Sequence, residues 1–150
     1  RILLFFASVL LILYLLYKKE NKNAFLVAVS FYGGIVLNKV LKEIFQIPRP
    51  SDALIPTQGY GFPSGHAMSA MIFYSLLIYL FHKEIKNKIV RNIFILANVI
   101  IILLVGLSRI MLKVHSGYDV VGGYAVGLLW LLIVYKGLGK IIFFNNRNRL

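Results

Sequence analysis

Two histidines and one aspartate fall where polar stretches of this sequence meet long apolar runs. His66 and His115 each stand at such a junction, and Asp119 follows His115 by four residues. If residues 116–119 begin a helix, His115 and Asp119 lie one turn apart on one face. A carboxylate there can accept a hydrogen bond from one imidazole nitrogen, fix the tautomer and leave the other nitrogen free to attack. The spacing fits an oriented nucleophilic histidine, and it fits an i,i+4 pair without a catalytic role equally well.

Three cations accompany these groups and indicate the charge of a possible ligand. Lys42, Arg49 and Arg109 fall at or near the ends of the apolar segments, on the same side as the histidines. A phosphate dianion suits such a site, because arginine offers paired donors and lysine adds a mobile charge. Lys42 taken alone is better explained as a cation in the last turn of a helix.

The sequence Pro63-Ser64-Gly65-His66 predicts the start of a helix. Ser64 suits the N-cap position, and apolar residues follow from Ala67 onward. The first backbone N–H groups of a helix lack partners and bind anions readily, and Gly65 permits a close approach to the backbone. The simpler alternative is a plain helix cap followed by a solvated histidine.

The residues leave little room for a metal or a cofactor. Two histidines and an aspartate could bind zinc, but three neighbouring cations would repel the ion. The sequence contains no cysteine, so disulfides and thiolate chemistry are excluded. We therefore predict neither a metal nor a cofactor.

Composition places these residues in a membrane protein. Hydrophobic residues make up 59% of the 150 residues, and the mean hydropathy is +0.80. A soluble domain of this size cannot bury so much apolar surface, so lipid must solvate part of it. We predict an all-α fold, a polytopic transmembrane bundle of about five spanning helices that forms one membrane-embedded domain over residues 1–150. The expected helices cover residues 2–17, 24–45, 65–81, 89–107 and 118–135, and residues 46–64 form a surface loop.

The charge distribution predicts both partners and orientation. Seventeen Lys and Arg against five acids give a net charge of +12. Because long apolar runs interrupt them, anionic lipid headgroups and phosphate ligands are better partners than nucleic acid. One side of the bundle would hold eleven cations and the other six. The first set is Lys18, Lys19, Lys22, Lys83, Lys86, Lys88, Arg91, Lys136, Lys140, Arg147 and Arg149, and the second is Arg1, Lys39, Lys42, Arg49, Arg109 and Lys113. The richer side should be cytoplasmic, which puts the histidines on the extracytoplasmic face of an inner (plasma) membrane.

Taken in order, these residues resemble a three-part family signature. Lys42 with Arg49-Pro50, then Pro63-Ser64-Gly65-His66, then Ser108-Arg109 with His115 and Asp119 are similar in order and spacing to the type 2 phosphatidic acid phosphatase superfamily. The resemblance spans residues 42–119, a little over half the chain. The first block is weakly specific, whereas the ordered triple is strongly so.

The resemblance implies a metal-independent lipid phosphatase. In such an enzyme His115 attacks phosphorus and forms a phosphohistidine, Asp119 orients it, and His66 protonates the departing lipid oxygen and later helps to activate water. The phosphoryl oxygens would be bound by Lys42, Arg49, Ser64, Gly65 and Arg109. His115 must be neutral to attack and His66 cationic to donate, so we expect a bell-shaped pH profile.

The substrate and some features of the chain stay open at this stage. Undecaprenyl diphosphate is slightly favoured, with lipid A 1-phosphate close behind and phosphatidylglycerol phosphate and phosphatidic acid as further candidates. Family members commonly have six spanning helices, so one N-terminal helix is expected to be absent or removed, and the start at Arg1 suggests a piece of a longer precursor. The oligomeric state is unknown from the sequence.

Two functions of other classes would use the same cations. A small anion channel or transporter could carry them as a selectivity ring, although five helices are few for a pore. An inactive membrane protein could simply hold an anionic lipid. Neither needs a nucleophile with an orienting carboxylate, and neither releases phosphate.

Overall fold

The computed structural model describes residues 2–147, and side chains as far as residue 138. It contains five helices and, within the described residues, no strand. The helices are α1 (Ile2–Tyr17), α2 (Asn21–Phe45), α3 (Gly65–Phe81), α4 (Lys88–Met111) and α5 (Gly117–Arg147). The all-α bundle expected from the apolar runs is confirmed, and residues 46–64 lack regular structure as expected.

Helix ends differ from the expected ones where polar residues take part in a helical turn. α2 begins at Asn21, three residues early, because the Glu20 carbonyl accepts the Ala24 N–H at 3.0 Å. α4 starts beyond an asparagine cap, in which Asn87 Oδ1 accepts the N–H groups of Ile89 and Val90. α5 continues to Arg147, because the end of an apolar run marks where a span leaves lipid and does not itself break a helix.

The outer surface of the bundle is apolar. Along α4 the exposed large side chains include Ile89, Ile93, Leu96, Ile100, Leu103, Leu104, Leu107 and Met111. Within the described residues, α2, α4 and the stretch Gly117–Leu138 are long and apolar enough to cross a membrane, and α1 and α3 are shorter apolar helices of 16 and 17 residues. So large an exposed apolar surface requires lipid around it. The chain is a multi-pass membrane protein.

α3 is the central helix and packs against each of the other four. Its buried residues occur on all sides of the helix, from Gly65 at its start to Leu76 near its end. The hydrophobic core joins it to α1, α2 and α5 through Leu11, Leu15, Ala24, Leu26, Val27, Phe31, Met68, Ile72, Phe73, Leu76 and Val134. A helix enclosed in this way gives its N-terminal residues a fixed position.

Small residues bring α5 close to its neighbours. A Cβ built on Gly123 would lie 2.6 Å from the Ser64 carbonyl oxygen of the α3 start, and one on Gly127 would lie 3.1 Å from that of Met68. Along the same face of α5, Trp130 Nε1 donates to the Ser30 carbonyl of α2 at 2.8 Å. Gly123 and Gly127, two small residues four positions apart, therefore allow close packing within the bundle.

The two ends of the bundle carry different polar groups. One end gathers the last turns of α2 and α4, the first turns of α3 and α5, and loop 46–64. The opposite end carries the α1–α2 and α3–α4 connections. Of the charges used to predict orientation, Arg1 and Arg149 lie outside the described residues, and Lys140 and Arg147 outside the described side chains.

Candidate active site

The start of α3 is bonded to the start of α5. The Ser64 backbone N–H donates to the Asp119 carbonyl at 2.8 Å, and the Met68 N–H closes the first turn of α3 on the Ser64 carbonyl. His66 is the second residue of α3 and is half-buried. This bond brings the stretch that contains His66 to the stretch that contains His115 and Asp119, although the two lie about fifty residues apart in the sequence.

A reciprocal cap fixes the carboxylate of Asp119. Its Oδ2 accepts the Ser116 N–H at 2.9 Å, and the Asp119 N–H donates to Ser116 Oγ at 3.3 Å. This arrangement has the form of a capping box at the first turn of α5. The same Oδ2 lies 3.4 Å from His115 Nδ1, and both side chains are buried, His115 at 4% exposure and Asp119 at 3%. The sequence-based pairing of His115 with Asp119 is present in the structure.

Arg49 occupies the other side of the His115 ring. Its Nη1 lies 3.3 Å from His115 Nε2 and donates to the Val114 carbonyl at 2.9 Å, and its Nε donates to the Gly59 carbonyl at 3.1 Å. A guanidinium carries only donors, so Nε2 must accept and the imidazole proton must reside on Nδ1. The contacts on the two sides therefore assign the tautomer that leaves a lone pair on Nε2.

The surroundings also hold His115 in its neutral form. Burial, followed by the charge of Arg49, lowers the pKa of His115 to about 4, with a further contribution from Lys42. The Asp119 carboxylate opposes this shift and does not overcome it. Burial likewise lowers the pKa of the Arg49 guanidinium from its ordinary value, against the influence of Asp119. At neutral pH the imidazole is therefore an uncharged base beside a cation.

α2 contributes two side chains that hold the segment just before α3. Lys42 Nζ donates to the carbonyls of Tyr60 and Gly61 at 2.6 and 3.0 Å. One turn earlier, the fully buried Asn38 donates through Nδ2 to the Pro63 carbonyl at 3.1 Å. Lys42 thus bonds to the loop of the site, an arrangement that its expected phosphate-binding role did not predict.

The hydroxyl of Ser64 is buried and has no hydrogen-bond partner among the residues that the structure describes. Ser64 does stand at the N-cap position of α3, as expected, but its side chain makes no cap hydrogen bond. A buried hydroxyl without a partner carries a free-energy cost, which a ligand with acceptor oxygens would relieve. Gly65 follows it, also buried, as the first residue of the helix.

Arg109 lies in the last turn of α4 and is half-buried. Its Nε donates to Ser108 Oγ at 3.1 Å, and its carbonyl accepts the Val114 N–H at 3.2 Å. These bonds connect Arg109 to the turn that precedes His115. They do not bring its guanidinium into contact with the other expected phosphate ligands.

An ion pair and a backbone hydrogen bond join loop 46–64 to the α4–α5 connection. Lys113 Nζ and Asp52 Oδ2 form an exposed ion pair of 2.7 Å, and the Leu54 N–H donates to the Leu112 carbonyl at 3.1 Å. Lys113 has a left-handed backbone with φ of 53°. The hydrogen bond with Lys113 lowers the pKa of Asp52.

Sequence reasoning missed three residues of this arrangement. Asn38 had a readable signal, because an amide inside an apolar helix, one turn from Lys42, requires an explanation. Ser116 also had a readable signal, because it forms with Asp119 a Ser-x-x-Asp pattern that predicts the cap. Gly61 had no such signal: a Cβ there would lie 3.1 Å from Asp119 Oδ2, a closeness that only the folded chain reveals.

A family model and known proteins match most of this chain. The family model described as the PAP2 superfamily matches residues 23–143. The chain belongs to the PAP2 superfamily. It is 37% identical over 127 residues to phosphatidylglycerophosphatase B of Bacillus subtilis (strain 168), covering 83% of this chain and 62% of that protein. It thus spans less than two thirds of this curated relative.

A solved structure shows a similar bundle. This is the crystal structure of a transmembrane PAP2-type phosphatidylglycerolphosphate phosphatase from Bacillus subtilis, which matches with a TM-score of 0.76 and 33% identity. The match covers 89% of this chain and 69% of that one. The family resemblance carried by residues 42–119 is therefore confirmed.

Proposed function

We propose that this PAP2 superfamily member is a lipid phosphatase that hydrolyses a terminal phosphate through a phosphohistidine on His115. The observation that carries the proposal is the pair of contacts on the His115 ring, with Asp119 at Nδ1 and Arg49 at Nε2. Together they leave a lone pair on Nε2 next to a cation, which is what attack on a phosphoryl group requires.

The reaction has two displacement steps. His115 Nε2 attacks phosphorus, the bond from phosphorus to the lipid oxygen breaks, and His66 gives its proton to that oxygen. Water then attacks the phosphohistidine, His66 accepts a proton from the water, and inorganic phosphate leaves with Nε2 restored. Asp119 stabilises the ring while Nε2 carries the phosphoryl group, because Nδ1–H then bears more positive charge.

The expected phosphate ligands would bind the phosphoryl group that this nitrogen attacks. Arg49 Nη1 lies against Nε2, so substrate has to displace that contact, and the guanidinium then pairs with phosphoryl oxygens. The unpartnered hydroxyl of Ser64 and the first N–H groups of α3, at Gly65 and His66, supply further donors. Lys42 and Arg109 add positive charge around the transferred group.

An apolar cavity next to the site supports a lipid substrate over a soluble ester. It has a volume of about 400 Å³ and lies beside Ser69, less than one turn of α3 beyond His66. Its lining comes from α1, α2 and α3, namely Ile2, Phe5, Phe6, Phe31, Ile35 and Ser69. An acyl chain in this cavity would lie beside Ser69, with its headgroup toward the start of α3.

Phosphatidylglycerol phosphate is the substrate that the relatives favour. Both the curated relative and the solved structure carry that activity in their names. Undecaprenyl diphosphate, which sequence reasoning favoured slightly, presents the same terminal phosphate and remains the second candidate. The site is proposed to face the extracytoplasmic side of an inner (plasma) membrane.

Phosphate release by the purified protein in detergent tests the proposal. The panel consists of phosphatidylglycerol phosphate, undecaprenyl diphosphate, lipid A 1-phosphate and phosphatidic acid, each with and without a chelator. We expect release that the chelator does not reduce. His115→Ala should abolish it while lipid binding persists, and the control His82→Ala, at the other end of α3, should not. No release from any of the four lipids by the unsubstituted protein would reject the function.

A further inference from the structure

The peptide group between Pro63 and Ser64 is bonded to two different helices. Its carbonyl accepts from Asn38 Nδ2 of α2 at 3.1 Å, and its N–H donates to the Asp119 carbonyl of α5 at 2.8 Å. In a trans peptide group these two bonds point in opposite directions. One peptide unit at the very start of α3 is therefore held between α2 on one side and α5 on the other.

Asn38 is costly in the place where it stands. The side chain is fully buried within a membrane-spanning helix, and an amide there loses free energy unless it is hydrogen-bonded. Its neighbour one turn on, Lys42, bonds to the carbonyls of Tyr60 and Gly61. α2 thus holds three carbonyls of the segment that leads into α3, and Asn38 holds the last one before Ser64.

We infer that Asn38 is a positioning residue of the phosphate site, an inference that rests on the proposed function. In this role Asn38 acts through the Pro63–Ser64 peptide and not on the phosphoryl group itself. It fixes the plane of the Pro63–Ser64 peptide, and this plane sets the directions of the Ser64 hydroxyl and of the N–H groups of Gly65 and His66. Without the amide donor, the Pro63 carbonyl loses this bond from α2, while the Ser64 N–H keeps its bond to the Asp119 carbonyl.

Asn98 offers a matched control. It is also an asparagine buried in a spanning helix, at 6% exposure, and its Nδ2 also donates to a backbone carbonyl. That carbonyl belongs to Phe94 of the same helix α4, at 2.8 Å, so the bond positions no other element. Leucine at either position removes the same side-chain amide. The two variants differ in which segment loses a hydrogen bond, the start of α3 for Asn38 and α4 itself for Asn98.

Kinetics with Asn38→Leu and Asn98→Leu provide the first measurement. We expect Asn38→Leu to lower kcat by about 10- to 100-fold, the scale of a small misplacement of binding groups. Asn98→Leu should stay within about threefold of the unsubstituted protein, at a similar unfolding midpoint. A protonated carboxyl can donate to the Pro63 carbonyl and a carboxylate cannot. The loss of kcat in Asn38→Asp, relative to the unsubstituted protein, should therefore become smaller as the pH is lowered. The kcat of Asn98→Asp relative to that of the unsubstituted protein should not change with pH in this way.

Hydrogen exchange provides a measurement that does not depend on activity. Deuterium uptake of peptides covering residues 60–68 should rise in Asn38→Leu and stay unchanged in Asn98→Leu. If the unsubstituted protein releases no phosphate from any lipid, the proposed function fails and exchange alone decides the positioning role. Equal exchange in the two variants, or equal losses of activity and of unfolding midpoint, would overturn the inference.

Discussion

At the scale of single residues, the site is defined by what lies on either side of one imidazole ring. Asp119 lies at Nδ1 of His115 and Arg49 at Nε2, and a guanidinium cannot accept a hydrogen bond. The lone pair on Nε2 is therefore set by fixed neighbours and not by chance protonation.

Replacing Asp119 by asparagine tests this assignment. Oδ2 of Asp119 faces both the Ser116 N–H and His115 Nδ1. In Asp119→Asn an NH₂ group at this position donates to Nδ1 and can no longer accept the Ser116 N–H. The proton then shifts to Nε2, and we expect kcat to fall by about 10³-fold or more, the scale on which a mis-set tautomer reduces activity. The control is Asp52→Asn, which removes an exposed carboxylate at the same end of the bundle. Equal activity in both variants would contradict the orienting role of Asp119.

The pH dependence of phosphate release tests the neutral state of His115. Because burial and Arg49 lower its pKa to about 4, the attacking form is present above that pH and is lost as the pH falls through it. We expect the acid limb of kcat/KM near pH 4 rather than near the ordinary histidine value of about 6.5. On the acid side, phosphate release should then change little above pH 5.

Arg49→Gln supplies the check on that assignment. Removing the positive charge should raise the pKa of His115 and move the acid limb toward neutral pH, whatever the loss in rate. An acid limb that stays in place in Arg49→Gln would show that it reports a group other than His115.

At the scale of elements, the contact of α3 with α5 sets the distance between the two halves of the site. A Cβ on Gly123 would meet the Ser64 carbonyl at 2.6 Å, whereas one on Gly137, in the same helix, would meet none of the described atoms within 4 Å. We expect Gly123→Ala to lower the free energy of unfolding by about 1–3 kcal/mol and to reduce activity, since the α3 start must move. Gly137→Ala should be neutral or stabilising by up to about 1 kcal/mol. Thermal unfolding in detergent measures both variants, and equal midpoints would refute the close contact.

The helices themselves were largely predictable, because the length of each apolar run can be read directly from the sequence. Residues 2–17 and 65–81 form helices with the expected ends, and the i,i+4 spacing of His115 and Asp119 predicted their contact. The end of α5 was wrong by twelve residues, because Lys136 ends the apolar run without ending the helix. Contacts between distant segments were not predictable, among them the bonds of Lys42 to the loop and the failure of Ser64 to cap its helix, since no local pattern encodes them.

At the scale of the whole molecule, the site lies at one end of the bundle and most of the predicted cytoplasmic cations at the other. If the positive-inside rule holds, the loop 46–64 is extracytoplasmic and the α3–α4 connection is cytoplasmic. The sequence contains no cysteine, so Ser51→Cys and Lys86→Cys each introduce a single thiol at an exposed position. In intact cells a membrane-impermeant maleimide should label Ser51→Cys and spare Lys86→Cys.

Permeabilised cells supply the control for this experiment, because both thiols should then react. Preferential labelling of Lys86→Cys in intact cells would invert the orientation and place the proposed site in the cytoplasm. That result would leave the chemistry of His115 untouched and would change which leaflet supplies the lipid.

The indole of Trp130 gives the bundle an optical reporter at a useful place. It is the only tryptophan in the sequence, and it lies in the seam where α5 meets Gly33, Gly34 and the Ser30 carbonyl of α2. Separation of these two helices would break the bond from the indole N–H and admit lipid or water to the ring. Its emission wavelength therefore follows the width of that seam, and a titration with substrate in a fluorimeter can show, without labelling, whether the helices move apart when the lipid enters.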